Sequence, residues 1–198
     1  MSLHHRIAFL IPHAENFPAS KLDEFHEHWN DDHGEFIMPV EQVVGYVQNR
    51  PVDHQWHWDQ FHGIAELFFE SPEQEEKAWE HPAWDEKLRP DEDYMFDVDN
   101  GFSALVTGVR EIRGGQVTRT RVLLLGADAA AVPESDRVGA IHEISLDSAV
   151  PVEGGGDKLL SVFTRGRDVA QEVAQAAGGR AAIVDAVQMI APEGWPAV

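Results

Sequence analysis

The strongest pattern of apolar and polar positions lies in residues 20–37, SKLDEFHEHWNDDHGEFI. At about 100° per residue, one side of a helix over this segment is apolar and the opposite side is charged. The apolar side contains Leu22, Phe25, Trp29, Phe36 and Ile37, and the polar side contains His28, Asp31 and Glu35. His33 falls in the middle of the apolar side, and His26 joins it about two turns earlier. The segment therefore predicts an amphipathic helix that presents an ionisable side chain to the core.

The remainder of the first half predicts four strands and a second helix. Apolar runs of the length and composition of strands cover residues 5–11, 43–49, 62–69 and 102–112. Ser71-Pro72 followed by Gln74 is a helix-start signature, so a helix is predicted from there to about His81, with a further turn over residues 84–88. Pro51 is expected to open a long loop. The predicted order is β-α-β-β-α-β.

After Arg113-Gly114-Gly115 the same pattern begins again in a weaker form. Strands are predicted over residues 121–125, 138–146, 159–163 and 181–190, and a helix over residues 168–177. The first helix of this copy is reduced to the alanine-rich stretch GADAAAVPES, residues 126–135. We therefore predict two domains, residues 1–113 and residues 114–198, the second a degenerate β-β-β-α-β unit. Each should form a four-stranded antiparallel sheet, and the two sheets should pack on each other within the chain.

Composition narrows the classes of partner and of chemistry. The 35 acidic and 15 basic residues give a formal net charge of −20, which argues against nucleic acid or an anionic membrane as the main partner. The chain has no cysteine, which excludes disulfides, thiolate nucleophiles and cysteine metal sites. Residues 7–11 form an apolar run far too short for a signal peptide core or a membrane span, so a soluble cytoplasmic protein is expected.

Aromatic and ionisable side chains are concentrated in the first half. Ten of the 11 histidines, five of the 6 tryptophans and nine of the 10 phenylalanines precede Arg113. Any chemistry is therefore expected there.

His33 is the leading candidate for a catalytic residue, and Glu66 is the second. An imidazole that titrates near neutral pH, in a pocket walled by Trp29, Phe36 and strand aromatics, suits proton transfer on an apolar, enolisable substrate. Glu66, in the middle of a predicted strand, is the candidate to orient or charge this imidazole; if it faces the other way, Asp93 or Asp97 takes its place. The alternatives are a core histidine with one satisfied hydrogen bond, and a carboxylate with no catalytic role. The substrate-binding candidates are Trp29, Phe36, Tyr46, His62, Phe68 and Asp93.

His54, His57 and His62 offer the best case for a metal or haem ligand. Their spacing matches no specific metal signature, and loop histidines beside tryptophans often cover a core. His26 and His28 point in nearly opposite directions on their helix, so they do not form a metal clamp. No cofactor is predicted, and haem or a metal stays an alternative.

Four segments, HEHWNDDHG, GYVQN, HGIAELFFES and DEDYMFDVDNGF, occur in the order and at the spacing of the EthD family, which residues 5–112 resemble. The family's pattern corresponds to His28-Trp29, His33-Gly34, the strand from Gly63 to Phe69, and the acidic stretch from Asp91 to Asp97. His62 departs from it, because the family often has an acid there. Residues 114–198 show no such resemblance.

The resemblance implies an α+β fold in which two ferredoxin-like units, the second degenerate, pack sheet to sheet as a pseudo-dimeric α+β barrel. A further homodimer is compatible with it. It also implies small-molecule chemistry, since relatives are ancillary to a haem monooxygenase system or act as dehydratases and oxygenases on aromatic polyketides. Three functions are therefore open: a cofactor-independent acid/base or oxidative enzyme (oxygenase, dehydratase or isomerase) on a small hydrophobic or aromatic molecule, a haem or metal protein, and a non-catalytic carrier or accessory protein.

Overall fold

The computed structural model describes residues 3–56, 61–151, 156–177 and 181–190. Helices and antiparallel strands confirm the α+β class. The chain divides into two compact units. Among the described residues, unit 1 contains 3–48, 61–103 and 188–190, and unit 2 contains 49–56, 104–151, 156–177 and 181–187. The division into residues 1–113 and 114–198, and the packing of two sheets on each other, stay predictions.

Unit 1 contains the predicted β-α-β-β-α order. Its elements are β1 (His4–Leu10), α1 (Leu22–His28), α2 (Gly34–Ile37), the start of β2 (Gly45–Trp56), β3 (Gly63–Phe69), α3 (Pro72–Trp79), α4 (Arg89–Met95) and the start of β4 (Phe102–Arg113). A π-helical turn, Trp29–His33, joins α1 to α2, and a second, Trp84–Leu88, precedes α4. The predicted cap is present, because the Ser71 hydroxyl accepts a hydrogen bond of 3.3 Å from the Gln74 backbone N–H.

The helices of unit 1 pack on one face of the sheet β1-β3-β2. β1 and β3 are antiparallel, with Ala8 opposite Ala65 and Ile7 opposite Glu66. Because successive side chains of a strand point to opposite faces, Ala65 and Leu67 lie on the helix face and Glu66 on the other. Every residue of β3 is buried, so both faces of this strand are covered.

Unit 2 contains β5 (Thr120–Leu125), β6 (Val138–Leu146), β7 (Lys158–Thr164), α5 (Arg167–Ala176) and most of β4 and of β8 (Ala181–Ile190). Its strands follow the order β8-β5-β7-β6-β4. α5 buries Val169, Ala170 and Val173 in a core with Val122 and Leu160. A single 3₁₀ turn, Ala129–Ala131, occupies the alanine-rich stretch where a reduced helix was predicted.

One local prediction was wrong, and one helix was not predicted. β2 continues through Pro51 to Trp56, where a loop was expected; proline occurs in strands at positions where no N–H is needed for pairing. α4 was not predicted as a helix, although Pro90 lies in its first turn, where a proline costs no hydrogen bond.

Candidate functional site

A cavity of about 470 Å³ lies within unit 1, between the helices and the sheet face that carries Ala65 and Leu67. Its walls are mostly aromatic and aliphatic, with a few polar groups that face inward. The lining residues are Arg6, Ala8, Leu10, Trp29, His33, Ile37, Tyr46, Ala65, Leu67, Trp79, Trp84, Arg89, Glu92, Phe96 and Ser103. This volume and this composition are typical of a site for a small hydrophobic molecule.

Asp91 on α4 links two histidines of the first helical segment. Its Oδ2 is 2.8 Å from Nδ1 of His33, and its Oδ1 is 2.7 Å from Nε2 of His28. His33 is 5% exposed and Asp91 is 9% exposed, so the pair is nearly excluded from solvent. Nδ1 of His28 lies 3.1 Å from Asp32, which further fixes that ring.

The ionisation state of Asp91 determines which nitrogen of His33 carries the proton. Burial opposes ionisation of Asp91, but the hydrogen bonds from His33 and His28 outweigh it and hold the pKa of this carboxyl below its ordinary value. An ionised carboxylate only accepts hydrogen bonds, so Nδ1 of His33 must donate. In neutral His33 the lone pair is therefore on Nε2, which has no hydrogen-bond partner among the described residues. His33 lines the cavity, so the structure offers a basic nitrogen to whatever the cavity holds.

The π-helical turn Trp29–His33 places both Trp29 and His33 against the cavity. π-helical turns are rare and frequently occur at functional sites. Trp29 packs so closely on β3 that a Cβ atom added to Gly63 would lie 2.7 Å from its ring. Gly63 therefore sets how near the helix approaches the sheet.

Trp29 and Tyr46 form the inner end of the site. The indole N–H of Trp29 donates to the Tyr46 hydroxyl at 2.8 Å, and both side chains are at most 1% exposed. The Gln48 amide donates to the backbone oxygen of Trp29 at 2.7 Å and to the Tyr46 hydroxyl at 3.4 Å. Burial raises the pKa of Tyr46 well above its ordinary value, so the phenol stays protonated at neutral pH.

Three further charged groups, Arg6, Arg89 and Glu92, line the cavity. Burial raises the pKa of Glu92, which is half-buried, above its ordinary value. Arg6 is fixed from both sides, because its Nε donates to Glu75 and its Nη1 donates to Ser103 at 3.2 Å. The cavity thus combines apolar walls with an imidazole, a phenol, a carboxyl group and two guanidinium groups.

The structure brings some of the sequence-predicted site residues to the cavity and leaves others elsewhere. His33, Trp29 and Tyr46 line it. Asp93 is exposed, and Phe36 packs at the edge of the core with Lys87 at 5.6 Å from its ring centre. The backbone oxygen of His62 accepts a hydrogen bond from His26 at 2.7 Å, and Phe68 stacks on His5 with ring centres 4.1 Å apart. Neither His62 nor Phe68 is among the lining residues.

The expectation that Glu66 orients His33 was wrong. Glu66 lies on the opposite face of β3 from the cavity-lining Ala65 and Leu67, and its Oε2 is 3.2 Å from Nε2 of His5. The substitutes considered, Asp93 and Asp97, have no hydrogen bond to His33 among the described residues; Asp93 is exposed, and Asp97 accepts a hydrogen bond from Asn100 at 2.9 Å. Asp91 has this role. The sequence signal that could have found it is helical spacing, because Leu88, Asp91 and Met95 fall on one buried face.

Some of the predicted metal or haem ligands lie outside the described residues. Among the residues that the structure describes, no group of three or more histidine or acidic side chains could hold a metal ion. His57 lies outside them, as does the side chain of His54. The predicted site at His54, His57 and His62 is therefore not tested.

Comparison with known proteins gives a domain match over part of the chain and a shared fold. Residues 18–99 match the EthD domain. No curated protein matches the sequence. Among solved structures, an anthrone oxidase-like protein superposes with a TM-score of 0.57 at 11% identity, over 99% of this chain and 96% of the other. A chlorite dismutase from Candidatus Nitrospira defluvii gives a TM-score of 0.50 at 8% identity, over 94% and 91%. Identities this low show a shared fold alone. No helix in the described part of the chain is long and apolar enough to cross a membrane.

Proposed function

We propose that this protein, whose residues 18–99 match the EthD domain, binds a small hydrophobic, aromatic molecule in the unit 1 cavity and that His33 removes a proton from it. The cavity walls support the aromatic character of the ligand. Trp29, Trp79 and Trp84 all line it, and the last two are in edge-to-face contact with ring centres 4.1 Å apart.

The observation that carries the proposal is the His33–Asp91 pair beside the cavity. A general base needs a lone pair that can reach the substrate and a fixed orientation. The imidazole of His33 supplies the lone pair on Nε2, and the 2.8 Å hydrogen bond to buried Asp91 supplies the orientation. When Nε2 takes a proton, the resulting imidazolium is stabilised by the carboxylate that it already contacts.

In the proposed reaction an acidic C–H bond of the ligand breaks and its proton moves to Nε2 of His33. The electron pair stays on the ligand as a stabilised carbanion or enolate. Return of the proton to another carbon is an isomerisation, loss of a hydroxide group is a dehydration, and reaction with dioxygen is an oxygenation. The site geometry supports the first step, which these three reactions share.

Hydrogen–deuterium exchange tests this proposal without knowledge of the natural substrate. The probe is 1-tetralone, an aromatic ketone with an exchangeable C–H next to the carbonyl group, followed by proton NMR in D₂O. We expect the protein to accelerate exchange and His33→Gln to remove at least about a hundredfold of that acceleration, the range of general-base catalysis. The matched control is His26→Gln, because His26 bonds a backbone oxygen and does not line the cavity.

Quenching of tryptophan fluorescence by 1-tetralone separates the alternatives. Binding without acceleration of exchange would contradict the enzymatic proposal and favour a non-catalytic carrier. Acceleration that is unchanged in His33→Gln would contradict the assignment of the base. A visible absorption band of a haem group in the purified protein would favour the haem alternative.

A further inference from the structure

The hydroxyl group of Tyr46 has an unusual hydrogen-bond arrangement. Its oxygen accepts from the Trp29 indole at 2.8 Å and from the Gln48 amide at 3.4 Å. The direction of both bonds is determined, because an indole N–H can only donate and because the Gln48 nitrogen is identified by its 2.7 Å bond to the backbone oxygen of Trp29. Tyr46 is therefore an acceptor twice, and its own proton has no acceptor among the described residues.

A buried donor without an acceptor costs about 1–3 kcal/mol, and none of the described residues accepts this proton. Tyr46 is 1% exposed and lines the cavity, so a molecule in the cavity is placed to accept it. Donation to the phenol oxygen from two sides polarises its O–H bond and strengthens the hydrogen bond that it can give. Burial raises the pKa of Tyr46, so the group donates a hydrogen bond and keeps its proton.

We propose that Tyr46 binds a carbonyl oxygen of the substrate, so that the substrate class is an aromatic ketone with an enolisable C–H group. This inference rests on the proposed function, to which it adds the chemical group that is recognised. Trp29 places the Tyr46 hydroxyl near the His33 imidazole, since its indole donates to Tyr46 and it lies one helical turn before His33. The carbonyl oxygen binds at Tyr46, and the adjacent C–H group faces Nε2 of His33.

This placement completes the proton transfer. The C–H bond breaks, the proton moves to Nε2 of His33, and the electron pair forms a C=C bond while the C=O π electrons move to oxygen. The negative charge that develops on this oxygen is stabilised by the hydrogen bond from Tyr46, as in other enolate-forming sites. No oxidant or further reactant is needed for this step.

Infrared spectroscopy of bound 1-tetralone, labelled with carbon-13 at the carbonyl group, tests the assignment. In the unmodified protein we expect the carbonyl stretch at a lower frequency than in hexane. Tyr46→Phe should abolish this shift and weaken ketone binding about tenfold, the effect of one hydrogen bond of about 1.4 kcal/mol. Binding of tetralin, the hydrocarbon of the same shape, should change less than about twofold.

A second measurement needs no substitution, because the chain has only two tyrosines, Tyr46 and Tyr94. With both replaced by 3-fluorotyrosine, the fluorine NMR signal of Tyr46 should move when 1-tetralone binds and much less when tetralin binds. Tyr94 is 46% exposed and does not line the cavity, so its signal is the internal control.

The outcomes are distinguishable. An unshifted carbonyl stretch, a shift that persists in Tyr46→Phe, or equal weakening of ketone and hydrocarbon would overturn the Tyr46 assignment and leave the proposed base intact. If neither probe binds, the proposed function and this inference both fail.

Discussion

At the scale of single residues, Asp91 determines what His33 can do, because one carboxylate fixes the tautomer and the orientation of the ring. The sequence identified His33 from its place in an apolar helix face, and the structure buries it there. The sequence did not identify Asp91, because residues 91–97 contain four acidic side chains. Only a helix shows which of these side chains point to the core, and this helix was not predicted. For Glu66, side-chain alternation along β3 places it on the face opposite Ala65 and Leu67. Since β3 is buried on both sides, the pattern could not tell which face meets the helices.

We expect Asp91→Asn to lower the free energy of unfolding by about 1–3 kcal/mol at pH 7, because two histidines lose a charged hydrogen-bond partner. The pKa of Asp91 is lowered in the folded state, so its stabilising contribution is present above the ordinary pKa of aspartate and is lost as the pH falls through the lowered value. The difference from the unmodified protein should therefore narrow toward pH 3. Urea unfolding at both pH values measures it. Exposed Asp93→Asn on the same helix is the control, and an equal loss in that variant would contradict the account.

Glu92 should behave in the opposite way. Burial raises its pKa in the folded state, so the folded protein binds more protons and stability falls as the pH rises above the ordinary pKa of glutamate. Glu92→Gln should therefore raise the melting temperature at pH 7 and have little effect near pH 4. Thermal unfolding at the two pH values tests this, with exposed Glu86→Gln as the control. A lower melting temperature of Glu92→Gln at pH 7 would show that the ionised carboxyl is stabilising there.

At the scale of elements, the site depends on how closely the first helical segment approaches β3. The amphipathic pattern predicted the helix correctly, and the Ser71 cap located α3. The pattern could not predict the π-helical turn Trp29–His33, because a π turn changes which residues share a face by only one position. It did not reveal α4, because most of this helix is charged and only the spacing of Leu88, Asp91 and Met95 marks its buried face.

A substitution at Gly63 tests how closely the first helical segment packs on β3. A Cβ atom at this position would lie 2.7 Å from the Trp29 ring, so Gly63→Ala should force the helix or the indole to move. Overpacking of this kind costs about 1–3 kcal/mol, and 1-tetralone binding should weaken as Trp29 shifts. Gly108→Ala on β4 is the matched control, because a Cβ atom there meets nothing within 4 Å. Equal stability of the two variants would show that the contact with Trp29 is not tight.

At the scale of the whole molecule, the net charge of −20 is the dominant electrostatic feature. Mutual repulsion of excess acidic groups favours the expanded, unfolded chain, and salt screens it over a Debye length of about 10 Å at 0.1 M. We therefore expect the melting temperature to rise when NaCl increases from about 10 mM to about 0.1 M. A fall would mean that the described ion pairs, such as Arg6–Glu75, outweigh the repulsion. Choline chloride at the same ionic strengths controls for specific binding of sodium.

The arrangement of the two predicted halves is the part of the fold that the sequence supported least. Strand patterns in residues 114–198 predicted β5, β6, β7, β8 and the helix α5, because alternation and glycine boundaries are local signals. The proposed packing of one sheet on the other depends on contacts between distant segments, which no local pattern encodes. It stays a prediction, together with the interpretation of the second half as a worn copy of the first.

The central claim is that His33 and Asp91 act as one unit on a molecule in the cavity, and a double-mutant cycle tests it most directly. The measurement is the rate of hydrogen–deuterium exchange of 1-tetralone for the unmodified protein, His33→Gln, Asp91→Asn and the double variant. If Asp91 acts only through His33, removing Asp91 should slow exchange when His33 is present and change nothing in the His33→Gln background. Losses that add in the double variant, or an unchanged rate in His33→Gln, would contradict the account.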